Sequence, residues 1–220
     1  MTQSRILRLG LVRFGHSFLL ILTTGILNRI LIADLGMAAL MVTVILSFQH
    51  LTSPFALLSG HISDRHPIGG AHRVPYIRIW TFISAALVPL MPMIAMKMGD
   101  SDLWKVIGAI TFGLFGFGLK AANLLVGALL TDAIDDKDLR GRQLSTIWIM
   151  AIVGFIAAGF FFSVLLPVFD PNAPADIAQL QSLCWQTAIF CTVLAWIGTR
   201  GQEPPGHVDR PPGPGLVASF

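Results

Sequence analysis

Residues 60–78 read GHISDRHPIGGAHRVPYIR. This is the most polar and turn-rich stretch in the first half of a chain that is 54% hydrophobic and only 12% charged. It carries Asp64, Arg65, His66, Arg73 and Arg78, punctuated by Pro67, Gly69, Gly70 and Pro75, and long apolar runs lie on both sides of it. A segment so placed reads as a loop between two membrane-crossing helices. Soluble domains carry about 25% charged residues. A chain with half of that and a mean hydropathy of +0.72 would precipitate in water, so the class is integral membrane protein. A length of 220 residues suits six or seven spans of about 20 residues with short connections. The apolar runs are continuous rather than alternating, which excludes a transmembrane β-barrel. The predicted fold is an all-α bundle of six transmembrane helices.

Outward from that loop, the apolar runs predict spans at about 11–33, 37–58, 77–96, 103–130, 144–168 and 183–197. Asp34-Leu35-Gly36 is a tight turn, 131–142 a charged loop and 170–181 a loop rich in Pro and Asp. Pro89 and Pro92 predict a kink in span 3. Gly108, Gly113, Gly116 and Gly118 in span 4, and Gly154, Ala157, Ala158 and Gly159 in span 5, would let helix backbones approach closely in lipid. Residues 201–220 are rich in Pro and Gly and are expected to be a disordered tail.

The N-terminus, the 2–3 loop, the 4–5 loop and the tail hold eleven Lys and Arg, and the opposite side holds only Arg29, Lys97 and Lys105. That bias predicts both termini on the cytoplasmic side. The net charge of +3 therefore belongs to membrane orientation and not to nucleic-acid binding. The two cysteines, Cys184 and Cys191, fall two helical turns apart, too far for a disulfide, and no His/Cys spacing suggests a metal site.

Lys120 lies well inside span 4, with Asn123 about one turn away. A charge at that depth costs several kcal/mol unless it snorkels, pairs or faces a cavity. Either it contacts a carboxylate or carbonyl of a ligand, or it is buried against carbonyls in the bundle. Asn28 and Arg29 sit near the far end of span 1, where Arg29 could pair with Asp34 or snorkel to the interface.

Three stretches carry a family resemblance. Gly60, Ser63, Asp64, Arg65 and Arg73 fill the loop motif of the major facilitator superfamily. The continuation HPIGGAHRVPYIR looks like the PucC-type branch, also called the bacteriochlorophyll delivery family. Leu27, Asn28, Arg29, Asp34 and Gly36 resemble the end of that branch's first span. Asp132, Arg140, Gly141 and Arg142 resemble its 4–5 loop. The resemblance covers about residues 8–200.

What the resemblance implies is a non-enzymatic protein of an inner, photosynthetic bacterial membrane. It would assist light-harvesting complex assembly or deliver (bacterio)chlorophyll, with light-harvesting or reaction-centre polypeptides as partners. The alternatives are a half-size solute transporter subunit and a structural or pigment-binding subunit. Family members have two six-span halves, so a second six-span chain or a homodimer is a further expected partner. Asp64 and Arg65, with Asp132, Arg140 and Arg142, would form a gating latch, or they are a solvated topology loop. His16 and His50 lie in apolar spans. A neutral imidazole there either ligates the magnesium of a chlorophyll-type ring or makes an interhelical hydrogen bond. His61, His66 and His72 read as solvated loop residues.

Overall fold

The computed structural model describes residues 2–134, 136–166 and 169–203. Among them are six helices long and apolar enough to cross a membrane: α1 (Gln3–Asp34), α2 (Ala39–Arg65), α3 (Val74–Lys97), α4 (Asp102–Ala133), α5 (Lys137–Leu165) and α6 (Pro174–Thr199). This is a multi-pass membrane protein, all helical as its apolar runs predict.

Local chemistry sets the ends. Gly36 turns the chain between α1 and α2 at φ 64°, a conformation that costs glycine little. The charged 131–142 stretch is not one loop: α4 runs to Ala133 and α5 begins at Lys137. The Asp136 carboxylate caps α5, accepting from the backbone N–H groups of Asp138 (2.9 Å) and Leu139 (3.3 Å). The 170–181 stretch is also not a loop throughout. Pro174 opens α6, because proline fits the first helical turn, where no N–H is needed, and Asp176 favours the positive end.

Three spans are irregular. In α1 the backbone widens into π-helical turns at Ile21–Leu27 and Ile30–Asp34. Thr23 and Thr24 donate their hydroxyls to the Leu19 and Leu20 carbonyls, drawing these away from the regular ladder. In α3 a 3₁₀ turn at Val88–Leu90 falls beside Pro89 and Pro92. In α2 the helix breaks at 52–55, around Pro54. The His50 carbonyl there accepts from the Ser53 amide at 3.1 Å and from its hydroxyl at 2.5 Å.

Helix α1 packs on α5 and α6, α4 packs on α2 and α3, and α3 meets α6. The pattern is unchanged when α1–α3 are exchanged for α4–α6. Because successive spans run in opposite directions, the two triplets form an inverted repeat. Close approach depends on small residues. A Cβ on Gly154 would lie 2.7 Å from the Phe14 carbonyl oxygen, and one on Gly116 would overlap the backbone of Gln49.

The apolar interior forms two clusters. One includes Val12, Ile77 and Leu125, and the other includes Phe18, Ala85 and Leu119. On each of α1, α3 and α4 a polar residue falls between the two: His16, Thr81 and Asn123.

Candidate functional site

The 60–78 stretch is not one loop, since α2 runs to Arg65 and α3 begins at Val74, and the short 66–73 connection is built around a buried arginine. Arg73 precedes α3, and its side chain is 9% exposed. Its guanidinium lies 2.8 Å from the Asp64 carboxylate on α2 and 3.2 Å from the Asp132 carboxylate on α4. It also donates to the Ser63 hydroxyl at 2.8 Å and to the Gly60 carbonyl at 3.4 Å. One planar fork thus ties the ends of α2 and α4 to the start of α3, a geometry lysine cannot reproduce. Gly60 fits because it packs beside Leu124 on α4. His72 is buried, and its Nδ1 lies 3.2 Å from the Ser63 carbonyl, so it is not a solvated loop residue. Tyr76 donates to the His66 carbonyl at 2.7 Å and closes the loop on itself.

The other half of this clasp comes from the far end of the chain. The Glu203 carboxylate accepts from the backbone N–H groups of His72 (2.9 Å), Arg73 (2.9 Å) and Val74 (3.0 Å). It therefore satisfies donors at the start of α3, where the helix dipole favours negative charge. Gly201 turns the chain there at φ 68°. The next residue, Gln202, donates to the carbonyls of Arg5 (2.7 Å) and Gly198 (2.9 Å). Residues 201–203 are therefore tied down, contrary to the expected tail, and 204–220 lie outside the described residues. Glu203 is the chain's only glutamate, two residues after the glycine that follows the last span. That oddity was the one available signal for a residue the sequence reading passed over.

Replacing Glu203 with alanine is expected to cost about 1–2 kcal/mol, as loss of a strong helix cap does. Glu203→Gln, which keeps an acceptor, should lose less. Trypsin cleavage after the exposed Arg65 should quicken in step. Unchanged melting and unchanged cleavage in Glu203→Ala would remove the clasp from consideration.

The remaining loop residues are spread around this centre. Arg140 donates to the Ile134 carbonyl through Nε (3.0 Å) and a terminal nitrogen (2.7 Å), closing the end of α4. Arg65 and Arg142 are exposed. At the other end of α1, Arg29 donates to the Leu166 carbonyl at 3.1 Å, tying α1 to the end of α5, and Asn28 is half-buried beside it.

Deeper in the bundle, His16 is buried, with Nδ1 2.8 Å from the Asn123 side-chain oxygen and Nε2 2.9 Å from the Thr81 hydroxyl. Nδ1–H donates to the amide oxygen, and Nε2 accepts from the hydroxyl. This joins α1, α3 and α4 and leaves no imidazole lone pair for a magnesium ion. Asn123 thus serves His16 and not Lys120. Lys120 instead donates to His50 Nδ1 at 3.2 Å and to the Ser53 hydroxyl, both at the break in α2. Between α1, α5 and α6 lies a cleft of about 380 Å³ lined by Phe14, Phe18, Phe161, Phe190, Gln186 and Thr187. Among the described residues no group of three His, Cys, Asp or Glu could hold a metal ion.

Fold and site together define a multi-pass helical membrane protein whose spans are clasped at one face by a buried arginine. The chain belongs to the PUCC protein family, whose model matches residues 26–211. It is similar to Protein PucC of Rhodobacter capsulatus, 30% identical over 189 residues, which is 82% of this chain and 41% of that protein. Protein PucC of Rhodovulum sulfidophilum is 28% identical over 202 residues, 88% of this chain and 44% of its own length. A Rhodobacter capsulatus protein named Bacteriochlorophyll synthase 44.5 kDa chain is 25% identical over 213 residues, 94% and 47% respectively. The chain thus spans less than half the length of the curated relatives it matches. No solved structure gives a significant match.

Proposed function

We propose that this chain is a non-enzymatic PucC-like protein that assists light-harvesting complex assembly or delivers (bacterio)chlorophyll within an inner photosynthetic membrane. The observation that carries the reading is the family match across residues 26–211. The inverted repeat of two helix triplets supports a bundle built like one half of a major facilitator protein. Both termini then face the cytoplasm, with the clasp and most of the basic loops. The partners are light-harvesting or reaction-centre polypeptides, together with a second six-span chain or a second copy.

Pigment is the cargo in this reading. His16 and His50 are poor magnesium ligands as they stand, since Thr81 and Lys120 occupy their lone pairs. The phenylalanine cleft between α1, α5 and α6 suits a flat apolar ring better. A second reading, a half-size solute transporter subunit, is favoured by the broken α2 and the mid-depth Lys120.

Deleting the gene in its native bacterium decides between them. The expected result is loss of antenna absorbance, restored by the wild-type gene. Purification from native membranes should yield antenna polypeptides or pigment with the chain. Normal antenna levels after deletion would overturn the proposal.

A further inference from the structure

The cluster of Lys120, His50 and Ser53 is used neither by the clasp nor by the phenylalanine cleft. Its depth follows from two helices independently. Lys120 lies twelve residues before Asp132 on α4, about 18 Å along the helix axis from the clasp. His50 is near the middle of α2, which runs Ala39–Arg65. Both place the ammonium group near the centre of a hydrocarbon layer about 30 Å thick. A charge there is costly unless it is paired, and among the described residues no carboxylate forms a salt bridge with Lys120.

The bundle is built to hold the charge at that spot. Gly116 and Gly113 lie about one and two turns before Lys120 on the same face of α4 and let α2 approach. Pro54 then breaks α2 beside it. The Ser53 hydroxyl donates to the His50 carbonyl and accepts from Lys120. His50 accepts from Lys120 at Nδ1, so its Nε2 carries the proton. The cluster is left with donors to offer: one further ammonium N–H and the Nε2–H of an exposed imidazole. It is framed by exposed Phe48, Leu51 and Phe55. A ligand that answers this has only acceptors, carries one negative charge and bears an apolar body.

We propose that Lys120, His50 and Ser53 form a binding site, at the break in α2, for the carboxylate of an amphiphile. The carboxylate accepts from the Lys120 ammonium and from His50 Nε2, and its apolar portion lies along Phe48, Leu51 and Phe55. The same headgroup chemistry is available from the bilayer, as a long-chain acid, or from water, as a small carboxylate.

The test uses the full chain in phosphatidylcholine nanodiscs with radiolabelled palmitate, its methyl ester as the uncharged control, and benzoate as a water-soluble competitor. The ester is expected to bind about tenfold or more weakly than the acid, the loss expected for one charge-assisted contact. Lys120→Met should lose the same factor, and Lys120→Arg should keep most of the affinity. Displacement of palmitate by millimolar benzoate assigns the site to soluble carboxylates, and failure to displace assigns it to bilayer acids. Lys120→Met should fold at least as well as wild type, since it removes an unpaired charge from the membrane interior. Equal binding of acid and ester, or palmitate binding unchanged in Lys120→Met, overturns the proposal. A carboxylate supplied only by a partner chain would give that negative result.

Discussion

Arg73→Ala is expected to destabilise the folded bundle by about 3–5 kcal/mol, the range seen when one partner of a buried ion pair is removed. The loss exceeds the worth of any one contact. Asp64 and Asp132 both converge on this guanidinium. Without it, two carboxylates are left close together in a site only partly open to water. A triple variant, Arg73→Ala with Asp64→Asn and Asp132→Asn, should therefore be more stable than Arg73→Ala alone. Arg73→Lys keeps the charge but cannot reach Asp64, Asp132, Ser63 and Gly60 together, and should fall between wild type and alanine. Denaturant unfolding in mild detergent measures all three. An Arg73→Ala protein within about 1 kcal/mol of wild type, the usual worth of an exposed pair, would show that the arginine does not hold the helices together.

Gly116→Val is the second large effect. A Cβ at this position overlaps backbone atoms of Gln49, which no change of rotamer can move aside. Helices α2 and α4 must separate. The packing of Gly113 on Phe48 and Thr52 goes with them, as does the reach of Lys120 to His50 and Ser53. The expected loss is about 3 kcal/mol or more, at the upper end for overpacked sites. Gly127→Ala is the control on the same helix, because a Cβ there meets nothing within 4 Å. It should be neutral, or stabilising by up to about 1 kcal/mol from helix propensity. Equal behaviour of the two variants in the unfolding assay would contradict the close crossing of α2 and α4.

The helices were legible because continuous apolar runs have few other uses, and the clasp's ingredients were legible because Asp64, Arg65 and Arg73 interrupt such runs. Their arrangement was not. Nothing local distinguishes Arg73, buried on two carboxylates, from Arg65, which stays exposed eight positions earlier. Helix ends were misread where polar residues cap or begin a helix, at Asp136 and Pro174, because the same residues also mark loops. The break in α2 has Pro54 as its sign in the sequence, whereas a kink is predicted only at Pro89 and Pro92. The π turns in α1 have only Thr23-Thr24 as a sign, and such pairs are common in ordinary helices. Glu203 has a weak sign, as the chain's only glutamate, and its role is illegible for a different reason: its partners are far away in sequence, and no pattern within α6 refers to them.

That distance has a consequence for synthesis. The amide of Val74 and the carboxylate that receives it are 129 residues apart in the chain. As the ribosome feeds spans into the bilayer, the start of α3 waits uncapped until every other described span has been made. A polypeptide broken between Thr199 and Glu203 keeps the six described spans but exposes bare amides beside Arg73. Quality-control proteases would thereby have, at the 2–3 loop, a local mark of a chain that lacks Glu203, far in sequence from the site of the loss.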